Sequence, residues 1–223
     1  MSEAAANLVG VVGTDNEGLT GVEKGFNALL QGKPGMREYR QDRHGNVIGI
    51  LKEVAPQQPP TINLSIDSFM QYVLYSRLRD GVTLNQAESG AAVLVDVNTG
   101  EILGMASYPS YNPNNYAGVK PKDMRNVAIS DSFEPGSTVK PLVVMAGLNR
   151  HMIRPDSVLD THPYTVNGHL IRDGGHVPSL TITGILRKPS DIAVSHIALA
   201  MPANEPVQLL PVFGLDKTTY LDL

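Results

Sequence analysis

Apolar residues in this 223-residue chain recur in short periodic stretches separated by Gly and Pro, and each stretch predicts an element. From Asn7 to Lys52 the chain is rich in Gly and charge. Val22, Phe26, Leu29 and Leu30 predict one short helix there, ended by Gly32 and Pro34. This segment reads as a small α+β module. The run Pro56-Gln57-Gln58-Pro59-Pro60 lacks ladder donors at its prolines and disfavours helix before each, so it predicts a connector. A domain boundary is expected there, between residues 1–60 and 61–223.

Ile66, Phe69, Met70, Val73, Leu74 and Leu78 fall at helical spacing behind Asp67, a candidate cap, and predict a helix ending near Gly81 with this stripe packed on a sheet. Ala91 to Val97, Asn98-Thr99-Gly100 and Glu101 to Ala106 predict the hairpin that begins that sheet. Ser107 to Lys122, broken by Pro109, Pro113 and Pro121, predicts an ordered loop. Ser137 to Asn149 is apolar almost all round, as expected of a buried helix. Asn167-Gly168 between Tyr164-Thr165-Val166 and His169-Leu170-Ile171 is a strong two-residue hairpin signal. Thr181 to Arg187 and Ser190 to Met201 predict two further helices, and no internal repeat is present. Together these elements predict an α+β fold.

Composition narrows the chemistry. At 42% hydrophobic and 18% charged residues the chain should fold rather than stay disordered. Its net charge of −4 and scattered Lys and Arg argue against nucleic acid as a partner. The absence of cysteine excludes disulfides, a thiolate nucleophile and Cys-ligated metal, and no cofactor is implied. No window approaches the roughly 18 apolar residues of a membrane helix, and the N-terminal residues do not read as a signal peptide. His162, His169 and His176 recur every seven residues, which is no ligand spacing on one strand face, so a solvated hairpin is expected rather than a metal site.

The candidate chemistry is at Ser137. A serine hydroxyl needs a base within hydrogen-bond reach and donors where the oxyanion forms. Ser137 and Lys140 are three residues apart, hence on one face of a helix, and Pro135-Gly136 should start that helix just before Ser137. To act as the base, Lys140 must give up its own proton, and burial under an apolar helix favours that. Glu134, beside the nucleophile, is expected to act only as a favourable dipole contact. Ser-x-x-Lys alone is weak, since an exposed pair would merely be solvated.

The surrounding residues add weight. Phe133-Glu134-Pro135-Gly136-Ser137-Thr138-Val139-Lys140-Pro141 resembles the active-serine motif of class B penicillin-binding proteins. Val95-Asp96-Val97-Asn98-Thr99-Gly100-Glu101-Ile102-Leu103 and Ser110-Tyr111-Asn112-Pro113-Asn114-Asn115 resemble the first hairpin and loop of their transpeptidase domain, and the segment from about Leu8 resembles their pedestal module. The resemblance is strongest to the Gram-negative cell-division branch. It implies a peptidoglycan D,D-transpeptidase with acyl-Ser137 chemistry on D-Ala-D-Ala stem peptides and covalent inhibition by β-lactams. It further implies cell-division partners and a periplasmic location, anchored in the inner membrane in a longer parent.

The family carries two more motifs, Ser-x-Asn and a late Lys-Thr-Gly or Lys-Ser-Gly. The second falls on Pro189-Ser190-Asp191, with Pro189 where a proton-relaying hydroxyl is expected and Asp191 where an amide is expected. Ser190 is a candidate substitute hydroxyl or, equally, a helix cap. The third motif does not occur before Leu223, so a C-terminal truncation and little activity of this chain alone are expected. Two other readings stay open: a degenerate, non-catalytic scaffold in the cell-wall machinery, and a β-lactamase, against which the pedestal-like segment speaks.

Overall fold

The computed structural model describes residues 2–175, 177–218 and 221. The chain forms two compact units, Met1–Ser132 with Leu221–Leu223, and Phe133–Tyr220. The Pro56 to Pro60 connector lies inside the first unit.

The first unit starts with α1 (Ser2–Val9), α2 (Gly21–Gly25) and α3 (Asn27–Leu30). The single helix expected over Val22 to Leu30 is therefore two turns. The break falls at Phe26, whose backbone (φ −103°, ψ 18°) leaves the helical region directly after Gly25, a poor helix former. A hairpin follows, β1 (Met36–Gln41) with β2 (Val47–Val54), exposed along almost its whole length.

Helix α4 (Ser68–Leu84) is capped by Asp67, whose carboxylate accepts from the Met70 N–H at 2.8 Å, as the sequence predicted. It runs a turn past Gly81, because the buried Val82 gains more than the roughly 1 kcal/mol a mid-helix glycine costs. Its inner face keeps Leu74 and Leu78 of the expected stripe and loses the rest of its helical residues. Gln71, Leu74, Tyr75, Leu78 and Val82 face inward, whereas Phe69, Met70 and Val73 are exposed. A polar residue that the apolar pattern passes over sets this phase. Gln71 is fully buried, and its amide donates to the Ala4 carbonyl (2.5 Å) and the Met105 carbonyl (2.9 Å) while accepting from the Met105 N–H (2.8 Å).

Strands β3 (Gly90–Val95) and β4 (Ile102–Tyr108) pair antiparallel around the Asn98-Thr99-Gly100 turn, and α4 packs on them. Helix α1, which sequence patterning misses, completes this core with Ala4 against Tyr75 and Ala106. Burial, and then the nearby Glu3 carboxylate, push the Tyr75 phenol above its ordinary range. The loop after β4 is ordered by Tyr111, which is buried and donates to the Ala6 carbonyl at 3.0 Å. Burial pushes its phenol up as well. The unit closes with α5 (Pro121–Met124) and α6 (Val127–Ser130), tied to α1 where the Asn7 amide donates to the Asp123 and Arg125 carbonyls, both at 2.9 Å.

The second unit comprises α7 (Lys140–Asn149), the pairs β5 (Val158–Asp160) with β8 (Ser179–Thr181) and β6 (Tyr164–Val166) with β7 (His169–Ile171), then α8 (Ile182–Arg187), α9 (Asp191–Ala200) and α10 (Glu205–Val212). Asn167 (φ 47°) and Gly168 (φ 83°) take the left-handed conformations that a tight two-residue hairpin requires. The core joins α7, α8 and α9 through Val144, Ile182, Ile185, Ala193 and Ile197, and α10 packs on α7. Gly147 allows the close approach, since a Cβ there would lie 2.9 Å from both Ile153 and Ile197 side-chain atoms. Helix α7 is buried on one side only, with Met145 exposed, so the expectation of burial all round is corrected.

Candidate active site

Ser137 lies in a 3-10 turn (Gly136–Val139) that leads into α7, not in the first turn of an α-helix. The cause is Pro141. A continuous α-helix would need the N–H of residue 141 on the Ser137 carbonyl, and proline has none. The Lys140 N–H takes that carbonyl instead, an i to i−3 bond that tightens the turn. Gly136 enters at φ 55°, and both the N–H (3.3 Å) and hydroxyl (2.6 Å) of Thr138 donate to the Pro135 carbonyl. Ser137 and Glu134 are exposed, and the Ser137 hydroxyl has no hydrogen-bond partner among the described residues.

The Lys140 side chain is 13% exposed, and its Nζ is 2.7 Å from Asp191 Oδ1. The structure thus joins two positions that the sequence singled out 51 residues apart, Lys140 of the first motif and Asp191 of the second. The ion pair engages the amine that the sequence reading assigns to Ser137, and no bond joins Ser137 Oγ to Lys140 Nζ among the described residues.

Ser190 is the N-cap of α9, buried to 1% exposure, and its Oγ accepts from the Ala193 N–H at 3.0 Å. The same hydroxyl donates to Asp173 Oδ2 at 2.5 Å. Asp173 Oδ1 accepts from the N–H groups of Asp191 (2.7 Å) and Ile192 (3.3 Å). The hydroxyl is therefore committed on both sides. Asp173, which the sequence reading missed, carries no local signal: it follows β7 and meets the second motif only through the fold. Pro189 and Asp173 line a cleft of about 230 Å³ together with Gly174, Gly175 and Lys188.

Of the three histidines, His162 faces Asp160 with Nδ1 2.5 Å from Oδ1, His169 begins β7 and is exposed, and His176 lies outside the described residues. The His162 backbone N–H, and next its ring, hold the Asp160 carboxyl below the usual carboxylate range. Tyr164 stacks on His196 at 4.2 Å, and its hydroxyl is 2.7 Å from Ser195 Oγ.

A family model for the penicillin binding protein transpeptidase domain matches residues 90–223, and one for the penicillin-binding protein dimerisation domain matches residues 2–64. The peptidoglycan D,D-transpeptidase FtsI of Escherichia coli K12 is 50% identical over 221 residues, which are 99% of this chain and 38% of that protein. The FtsI of Buchnera aphidicola (Schizaphis graminum) is 44% identical over 98% of this chain and 39% of that protein. Among solved structures, penicillin binding protein 3 of Mycobacterium tuberculosis superposes with a TM-score of 0.80 at 25% identity, covering 95% of this chain and 45% of that one. It has also been solved with ampicillin and with aztreonam. The chain spans well under half the length of the curated relatives it matches. Its motif residues, its α+β fold and these matches make it a member of the penicillin-binding protein transpeptidase family.

Proposed function

We propose that the chain is part of a peptidoglycan D,D-transpeptidase, with residues 1–60 a pedestal-like module and 61–223 the N-terminal portion of the catalytic domain. Ser137 is the nucleophile and Lys140 its base. The Ser137 Oγ–H proton passes to the neutral Lys140 amine as Oγ attacks the penultimate D-Ala carbonyl. The C–N bond then breaks, the proton goes to the departing D-Ala amine, and acyl-Ser137 is passed to an amine of a neighbouring stem peptide. β-Lactams enter by the same attack and stop at the acyl-enzyme. Cell-division partners and a periplasmic site on a membrane-anchored parent belong to the same reading. The observation that carries it is the Ser137 turn feeding α7, with a hydroxyl free to react and Lys140 one turn on.

A second reading, a non-catalytic scaffold, has its own support. Lys140 is ion-paired to Asp191, Pro189 has no hydroxyl, and the Ser190 hydroxyl is already bonded to Asp173 and the α9 backbone. An amine engaged by a carboxylate is not free to take the Ser137 proton. Intact-mass spectrometry with a fluorescent penicillin separates the two. The chain itself should acylate slowly and below stoichiometry, and a P189S/D191N variant at least about tenfold faster, a conservative share of the ~10²- to 10⁴-fold that general acid–base assistance supplies. An adduct that persists in S137A refutes the nucleophile. Equal rates in wild type and the double variant refute the role given to the second motif.

A further inference from the structure

The Lys140–Asp191 pair is held from outside the motif residues. Asp191 presents its carboxylate from the first residue of α9, where the backbone direction decides whether that carboxylate reaches Nζ at 2.7 Å or swings into solvent. Its side chain is 62% exposed, and packing alone does not hold it. The turn that carries it is fixed by one carboxylate. Asp173 takes the Ser190 hydroxyl and the Asp191 and Ile192 N–H groups, while Ser190 caps the helix through Ala193. Such charge-assisted bonds are short and strong, and here they replace water at the N–H groups that a helix start leaves open. Asp173 makes no contact with Lys140 of its own among the described residues.

We propose that Asp173 is a positioning residue for the Ser137 site: it fixes the Ser190-Asp191 turn and thereby holds Asp191 on Lys140, setting the availability of the base. The inference rests on reading Lys140 as the base, but its geometric content is separable from that reading. Without the Asp173 carboxylate the turn loses three anchors and Asp191 leaves the lysine. The amide of D173N keeps an oxygen that can accept both N–H groups, so that variant should preserve the turn.

The test is the acetylation rate of each lysine under limiting acetic anhydride, read by peptide mass spectrometry, with the exposed lysines as internal references. In D191N, Lys140 should react about two- to fivefold faster than in wild type, the range that a half-exposed ion pair supplies. D173A should raise it by the same factor, D173N should stay near wild type, and D173A/D191N should react no faster than D191N. That non-additivity distinguishes positioning from general loosening. A folded D173A with Lys140 at the wild-type rate overturns the proposal, as does an additive double variant or a D191N that changes nothing. Where D173A does not fold, D173E carries the test: its carboxylate is displaced by one methylene, and Lys140 should again be released. A folded D173E with Lys140 unchanged overturns the proposal equally. Fluorescent-penicillin labelling of the same samples keeps the two claims apart. If Ser137 is never acylated in any variant, the catalytic reading fails while the Lys140 rates still decide the role of Asp173.

Discussion

Replacing Gln71 by Met tests whether one buried amide joins three elements of the first unit. The substitution nearly preserves volume and helix propensity, so its effect comes from the three bonds lost to Ala4 and Met105. Each orphaned buried backbone group costs about 1–3 kcal/mol, giving a gross loss of about 3–9 kcal/mol. Two terms offset it: the methionine gains roughly 1 kcal/mol of apolar burial, and local relaxation lets water reach some of the groups. A net loss of about 2–4 kcal/mol is expected, a large part of a typical ~5–15 kcal/mol stability. With a urea dependence of about 2 kcal/mol/M, the midpoint should fall by roughly 1–2 M. Because the chain has two units, the transition is best read by hydrogen–deuterium exchange of the peptide covering β4, which reports the first unit directly. Q71E should be worse than Q71M, since it buries carboxylate oxygens against the Ala4 and Met105 carbonyl oxygens where Met places only an apolar thioether. A midpoint shift below about 0.3 M for Q71M, with β4 protection unchanged, would show that the amide is not what ties α1, α4 and β4 together.

Ser190→Ala removes a cap and leaves Asp173 with one partner fewer, and should destabilise the second unit by about 1–2 kcal/mol in thermal melts of α9 helicity; no loss would mean that water replaces the hydroxyl. Gly147→Ala places a methyl against Ile153 and Ile197 and should cost about 1–3 kcal/mol, checked by urea titration. For Tyr111 the folded-state phenol titrates above its unfolded value of 10.0, so its contribution is full below pH 10 and is lost as pH rises through the folded value. Alkaline unfolding of wild type should therefore begin at lower pH than that of Y111F, and coincident alkaline limbs would contradict this. Limited proteolysis should cut first at the Pro56 to Pro60 connector if residues 1–60 form a separable module, and an uncut connector would count against that division.

What the sequence revealed was local. Asp67 and Ser190 stand where caps are needed, each accepting from an N–H three residues on, and Asn167-Gly168 adopts the conformations those residues tolerate best. What it concealed depends on distant partners. The phase of α4 is set by Gln71, a polar residue whose burial makes sense only once Ala4 and Met105 are beside it. Strands β5 and β8 are three residues each and pair across some twenty positions, too short for periodicity to mark them. At the candidate site, Ser137, Lys140 and the Pro189-Ser190-Asp191 segment were legible through motif likeness. The Lys140–Asp191 pair and the role of Asp173 were not, because neither spacing nor residue type links positions that only the fold brings together.

The bonds that hold α1 also set an order of events during synthesis. Its anchors lie far along the chain: the Tyr111 hydroxyl meets Ala6 at a separation of 105 residues, and the Asn7 amide reaches across 116 and 118. At a translation rate of about 5–20 residues per second, more than 100 residues take roughly 5–20 s to follow, whereas a helix forms or melts in about a microsecond. On the ribosome α1 must therefore form and dissolve many times before its partners exist, and an eight-residue helix is marginal alone. The first unit can close only after residues near 126 have emerged, which makes the nascent α1 segment a natural client for whatever holds unfolded chains at the tunnel exit.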